Sequence, residues 1–167
     1  VLDITVETML GPEDVRETLE AFLTRTTSLI RDVTEQARGR IADAVLRGVQ
    51  QRTPTAKVAK EIAEATGMAR KRARRIASHQ SVSLNSALNE DRRRQAGLSV
   101  WRWKHSGKRF PRPEHVERDG LLYGDDPSDR GKVGKETVRA PPEDRPGTLP
   151  NCGCTSVAVL VLEGEIF

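Results

Sequence analysis

Residues 97–104 read Gly-Leu-Ser-Val-Trp-Arg-Trp-Lys, and there the periodicity of the chain changes from that of a helix to that of a strand. Alternation over Val100–Lys104 puts Trp101 and Trp103 on one strand face and Arg102 and Lys104 on the other. Both tryptophans of the 167-residue chain stand here, in a sequence only 4% aromatic. They supply most of the large apolar area that anything folding downstream of Gly97 can bury. Gly97 itself is the residue type that ends a helix in the left-handed region.

Upstream of Gly97, residues 12–96 read as helix almost throughout. Gly11-Pro12-Glu13-Asp14 is a start signal, with proline at the first helical position and acids in the first turn. Val15, Leu19, Phe22, Thr26, Ile30, Val33, Ala37, Ile41, Ala44 and Gly48 recur in steps of three and four, which predicts one amphipathic helix over 12–51. Thr53-Pro54 restarts a helix over 54–66 that Gly67 closes, and a third runs over 68–96. All these stripes are rich in alanine, and burying alanine removes little apolar area from water. The expectation is a helical arm that packs on another subunit or on itself in an extended array.

Downstream, a polar loop with many glycines and prolines spans His105 to Pro150, broken by Leu121-Leu122-Tyr123, and Ser156–Leu162 is an apolar run of strand length. The fold class is therefore α+β: a helical arm over 1–97, then a small domain over 98–167 with a short antiparallel sheet and a long loop. A loop of that length needs something to tie it down.

Composition narrows the function classes. No apolar run approaches the roughly 20 residues that cross a bilayer, and no basic-then-apolar leader is present. The chain opens on Val1 and stops on Phe167 within an apolar run, as expected of part of a longer polypeptide. Net charge is +4, and 21 of the 28 basic residues are arginine, the side chain suited to bidentate contact with phosphate and carboxylate. Coding bias toward Arg and Ala explains the same count. Cys152 and Cys154 are one residue apart, too close to staple a loop, which excludes a disulfide scaffold.

Two groups of residues are candidates for binding chemistry. Arg70, Lys71, Arg72, Arg74 and Arg75, echoed by Arg92, Arg93 and Arg94, make one helix basic at both ends. Ala59–Ala63, Gly67-Met68 and Arg72–Ile76 have the cadence of a helix-turn-helix, yet the second helix is too long and has few Asn or Gln near its start to read bases. Sequence-independent attraction to DNA or to an acidic protein face fits better, and plain solvation of the charges remains open beside it. His105, His115, Cys152 and Cys154 are a candidate set for structural zinc; the competing reading places both thiols in the core beside the last strand. Glu117, Asp119, Asp125, Asp126 and Asp129 crowd a turn-rich loop, and no nucleophile–base spacing or phosphate loop is present. No catalytic residue is expected.

In order, Val100-Trp101-Arg102-Trp103, Arg112-Pro113-Glu114-His115, Asp119-Gly120 and Pro150-Asn151-Cys152-Gly153-Cys154-Thr155 resemble the phage head morphogenesis family, the Mu protein F-like minor head proteins of tailed bacteriophages. The resemblance covers about Arg70 to Val161. Two places depart from it: Gly153 stands where arginine is usual, and Ser78-His79-Gln80 where an Arg-Thr-Glu-like triplet is common. Members with Cys-Pro-x-Cys in place of Arg-Pro-x-His would offer a fuller ligand set than this chain does.

The resemblance implies a structural minor virion protein, made in the host cytoplasm and placed in the head interior or at the portal vertex. It implies a role in head assembly and in genome packaging or delivery. Its expected partners are the portal protein, the major capsid protein and further copies of itself, with non-specific contact to phage DNA. A nucleic-acid-binding module built on the basic helix 70–94 is the alternative; a metal-dependent nuclease or toxin domain is the second.

Overall fold

In a computed structural model, residues 12–162 and 165–166 are described; Gly11, the side chain of Val15 and Phe167 lie outside the described residues. The chain divides into two compact units, up to Leu88 and from Asn89 onward.

The first unit holds α1 (Pro12–Ser28), α2 (Glu35–Gln50), α3 (Thr55–Thr66) and most of α4 (Arg70–Gln95). The single helix expected over 12–51 is thus two. Its apolar spacing continues through Ile30 and Val33, but Asp32 takes a φ of 54°, and Thr34 caps α2 by accepting from the Ala37 amide at 3.2 Å. A local side-chain bond to the backbone outweighs the stripe here. Arg38 closes the corner by donating to the Ile30 carbonyl at 3.1 Å. At the next restart the cap position belongs to Pro54 and not Thr53, and the Pro54 carbonyl accepts from Lys57 and Val58. Gly67 ends α3 at φ 70°, as expected.

The stripes of these helices meet one another. Leu19 and Leu23 of α1, Ile41 and Val45 of α2, Val58 and Ile62 of α3, and Ala73, Ala77 and Leu84 of α4 share one buried cluster. Of the two packings expected, on another subunit or on one another, the second is present within this unit: small residues allow close approach, so even thin stripes enclose a core. Gly48 shows how close, since a Cβ there would meet Val58 Cγ2 at 2.5 Å. Gln80, buried in α4, accepts from Thr26 Oγ1 at 2.7 Å and returns a longer bond to the Thr26 carbonyl.

The second unit begins inside α4, ahead of the boundary expected at Gly97, because Arg93 in the last turns of that helix packs on Trp101. Gly97 still ends the helix, at φ 69°. β1 (Val100–Lys104) lies between β2 (Leu122–Gly124) and β5 (Thr155–Ala158) and is antiparallel to both. β2 runs parallel to β4 (Glu136–Arg139), and β3 (Gly131–Val133) flanks β4, giving the order β3-β4-β2-β1-β5. The sheet is therefore mixed, where an antiparallel one was expected.

The expected loop over 105–150 contains the β3–β4 hairpin and α5 (Pro113–Glu117). Gly134, at φ 58°, takes the first place of the two-residue hairpin turn, the position where a type II′ turn wants glycine. The apolar run 156–162 is likewise divided. Val159 turns into the core and donates its amide to the Val100 carbonyl at 3.0 Å, after which β6 (Val161–Leu162) pairs with β7 (Glu165–Ile166) in a separate ladder.

Alternation along β1 gives each face of the sheet its own small core. Trp101, Trp103, Tyr123, Cys152 and Cys154 cluster on one face; Val100, Leu122, Val138 and Val159 cluster on the other. Arg102 stands on the second face and holds Glu136 in a bidentate pair at 2.9 Å for both bonds.

Candidate functional site

The tryptophan face is an aromatic floor. Trp101 stacks on Tyr123 with ring centroids 4.9 Å apart, and Trp103 meets the His115 ring edge-on at 5.1 Å. Both indoles are fully buried. Cations cover them, as the negative ring face favours: Arg93 and Arg145 lie 5.2 and 5.5 Å from the Trp101 centroid, and Arg118 lies 5.1 Å from that of Trp103.

Asp125 is the carboxylate of the Trp101 end. It accepts from the Trp101 indole at 3.0 Å and from Arg145 at 2.6 Å, with Arg93 at 3.5 Å. Burial works to raise its pKa, but the bonds from Arg145 and Trp101 and the two guanidinium charges outweigh it, and the carboxyl is held below its ordinary range. Burial lowers the pKa of Arg93. Arg93 belongs to the basic group read from the sequence, yet its side chain is turned inward and offers nothing to an external phosphate.

At the Trp103 end, three expected ligands converge. α5 begins after Arg112 and presents His115 inward, almost wholly buried. Leu149–Cys152 form a turn closed by the Cys152 amide on the Leu149 carbonyl at 3.0 Å. Pro150 holds its second position and Asn151, at φ 60°, its third, the residue pattern of a type II turn. Lys108 donates to the Asn151 carbonyl at 2.7 Å and Arg112 to that of Pro150 at 2.9 Å, fixing the turn from outside. Space between the cysteines is tight: a Cβ at Gly153 would lie 2.7 Å from Lys108 Cε and 2.9 Å from Ser106 Cβ.

The result is a close triad. Cys152 Sγ and Cys154 Sγ lie 3.5 and 3.6 Å from His115 Nδ1, and the three donor atoms all fall within 4.8 Å of one another. Both thiols are free and buried. Behind the imidazole, Asp144 sits 3.0 Å from Nε2 and accepts two bonds from Arg118 at 2.8 and 2.9 Å. Burial pushes Asp144 upward, but bonds from Arg118 and His115 and the Arg118 charge prevail, leaving it well ionised. An ionised carboxylate can only accept, so Nε2 carries a proton, and in the neutral ring Nδ1 is the nitrogen whose lone pair faces the sulfurs. Burial and the neighbouring Cys152 raise the pKa of Cys154; the Ser106 amide and the Trp103 indole oppose them by favouring its thiolate.

His105 does not join this group. It is partly exposed, its Nδ1 accepts from the Gly107 amide at 3.2 Å, and its own amide donates to Asp119 at 2.8 Å. Sequence reading missed Asp144 and Arg118, which have no local pattern; the one cue was a histidine whose second nitrogen would need a partner. It also missed Asp125 as the partner of Trp101.

The remaining basic residues lie on α4. Arg70, Lys71, Arg74 and Arg75 are exposed and follow i, i+1, i+4, i+5 spacing, which puts them on one face. Arg72 is half-buried and donates to the Arg31 carbonyl. Arg92 is exposed, and Arg94 faces Asp91 at 3.7 Å.

Comparison with known proteins bears on these elements together. A family model described as "Phage Mu protein F like protein" matches residues 39–157, a span from α2 to β5 that takes in the whole triad. A protein of Haemophilus influenzae described as uncharacterized is 27% identical over 149 residues, covering 88% of this chain and 30% of its own length. This chain thus spans less than a third of that curated relative. No solved structure matches.

Proposed function

We take the Phage Mu protein F-like family, to which this chain belongs, as the premise, and propose that it is a structural minor head protein bound near the portal vertex inside the head. There it acts in head assembly and in genome packaging or delivery. Its direct partners are the portal protein, the major capsid protein or further copies of itself. The observation that carries this reading is the span of the family match, which runs through helices of the first unit and the sheet of the second. The role is architectural: Asp119, Asp125 and Asp126 are each taken up in structural bonds. Asp119 accepts from the His105 amide, Asp126 caps a short turn, and Asp125 serves Trp101 and Arg145. No helix among the described residues is long and apolar enough to cross a membrane.

Cross-linking and mass spectrometry of purified particles test the placement. Cross-links from this chain to portal or capsid subunits are the expected result; absence of the chain from finished heads overturns it. Phosphodiester cleavage by purified protein, lost on His115→Ala, would instead favour a nuclease.

A second reading has one observation of its own, the exposed face of Arg70, Lys71, Arg74 and Arg75. It suits phosphate backbones without base readout. Affinity for duplex DNA that falls steeply with salt and ignores sequence supports it. Affinity that is flat in salt removes it.

A further inference from the structure

We propose that His115, Cys152 and Cys154 bind one zinc ion through Nδ1 and the two Sγ atoms, independently of where the chain sits in a particle. The donor atoms already stand at the spacing zinc needs. Zinc bonds of about 2.3 Å to sulfur and 2.0–2.1 Å to nitrogen, at the tetrahedral angle, set each sulfur about 3.6 Å from the nitrogen. The two distances present are 3.5 and 3.6 Å.

In the neutral ring Nδ1 has one lone pair, directed at two buried sulfurs. A single S–H···N bond would satisfy one thiol and leave the other with no share in that acceptor. A cation placed among the three atoms satisfies all of them at once.

The surroundings are those of a ligand set. Asp144 holds the imidazole in the tautomer that frees Nδ1, and is itself held by Arg118, the carboxylate–histidine support common behind zinc. Trp103 Nε1 is buried without a well-formed hydrogen bond, beside Cys154. A metal-bound thiolate there would give the indole a charged acceptor, which a neutral thiol does poorly. Soft sulfur with one imidazole favours zinc over magnesium or calcium. Among the described residues the group supplies three protein ligands.

The test uses the whole chain, stripped with chelator under reducing conditions and titrated with Co2+ as a visible probe. Expected are saturation at one ion per chain, thiolate-to-cobalt charge-transfer absorption, strong tetrahedral visible bands, and displacement by Zn2+. Cys152→Ser and Cys154→Ser should each lower the charge-transfer intensity, and His115→Ala should abolish tight binding. Asp144→Asn should keep the spectrum with affinity weakened about 10–100-fold, while His105→Ala should change nothing. Folding of each variant is followed by circular dichroism, and the unaltered chain supplies stoichiometry and spectrum by itself. Failure to saturate, a weak octahedral spectrum, a Cys152–Cys154 disulfide in the reduced preparation, or binding that follows His105 in place of His115 would each overturn the assignment.

Discussion

Arg93 lies 5.2 Å from the Trp101 ring centroid and within 3.5 Å of Asp125, although it is the middle residue of the run Arg92-Arg93-Arg94. One turn of helix thus carries two functions. Arg92 meets solvent, while Arg93 lids the aromatic floor and neutralises the carboxylate beneath it. A run of like charges on a helix is not one surface, because consecutive positions are about 100° apart.

Replacing Arg93 with Ala should therefore destabilise the second unit by about 1–3 kcal/mol, from the lost ring contact and the charge-assisted bond. Arg92→Ala should stay within about 0.5 kcal/mol of the parent. Denaturant unfolding of the two variants side by side measures the difference; equal effects would contradict the inward placement of Arg93.

Trp103 is fully buried against His115 and Tyr123. Trp103→Ala should cost about 3–5 kcal/mol and remove much of the near-ultraviolet dichroism. A melting curve indistinguishable from the parent's would refute the packing.

Acid should act partly through Asp125. Its folded pKa lies below the unfolded value of about 3.9, so its contribution is present in full above that value and is lost as pH falls through the folded one. Stability of the parent should drop below about pH 4. Asp125→Asn should be less stable at pH 7 but lose less on acidification, with a residual slope from Asp144, which is also held low. Unfolding midpoints measured across that range decide the point, and parallel curves would exclude Asp125 as a contributor.

Glycine to alanine gives opposite signs at two positions. At Gly153 the new Cβ would press on Ser106 and Lys108, at a cost of about 1–3 kcal/mol. At Gly39, in α2, nothing lies within 4 Å of a Cβ, and helix propensity should stabilise by about 0.5–1 kcal/mol. Thermal melts of Gly153→Ala and Gly39→Ala check both signs.

What was legible in the sequence was what local chemistry dictates. The tryptophan alternation placed β1 and its buried face, and Gly67 and Gly97 marked helix ends. His115, Cys152 and Cys154 stood out as soft donors, and the structure brings those three together without His105. The break between α1 and α2 was hidden because Ile30 and Val33 extend the stripe across a corner made by Asp32 and Thr34. β3 and β4 were too short to show a period, and their hairpin lay inside what read as one loop. Asp144 and Asp125 acquire their roles from partners 20 or more residues away, such as Arg118 and Arg145. No local pattern records such a pairing.

Because β1 feeds a different core from each side, its alignment is self-checking. A slip by one residue would thrust both indoles into the space shaped for Val100 and drag Arg102 beneath the aromatic cluster. Neither outcome is tolerable, so a mispaired strand finds no half-satisfied resting place, and the five residues of β1 act as their own proofreader during folding.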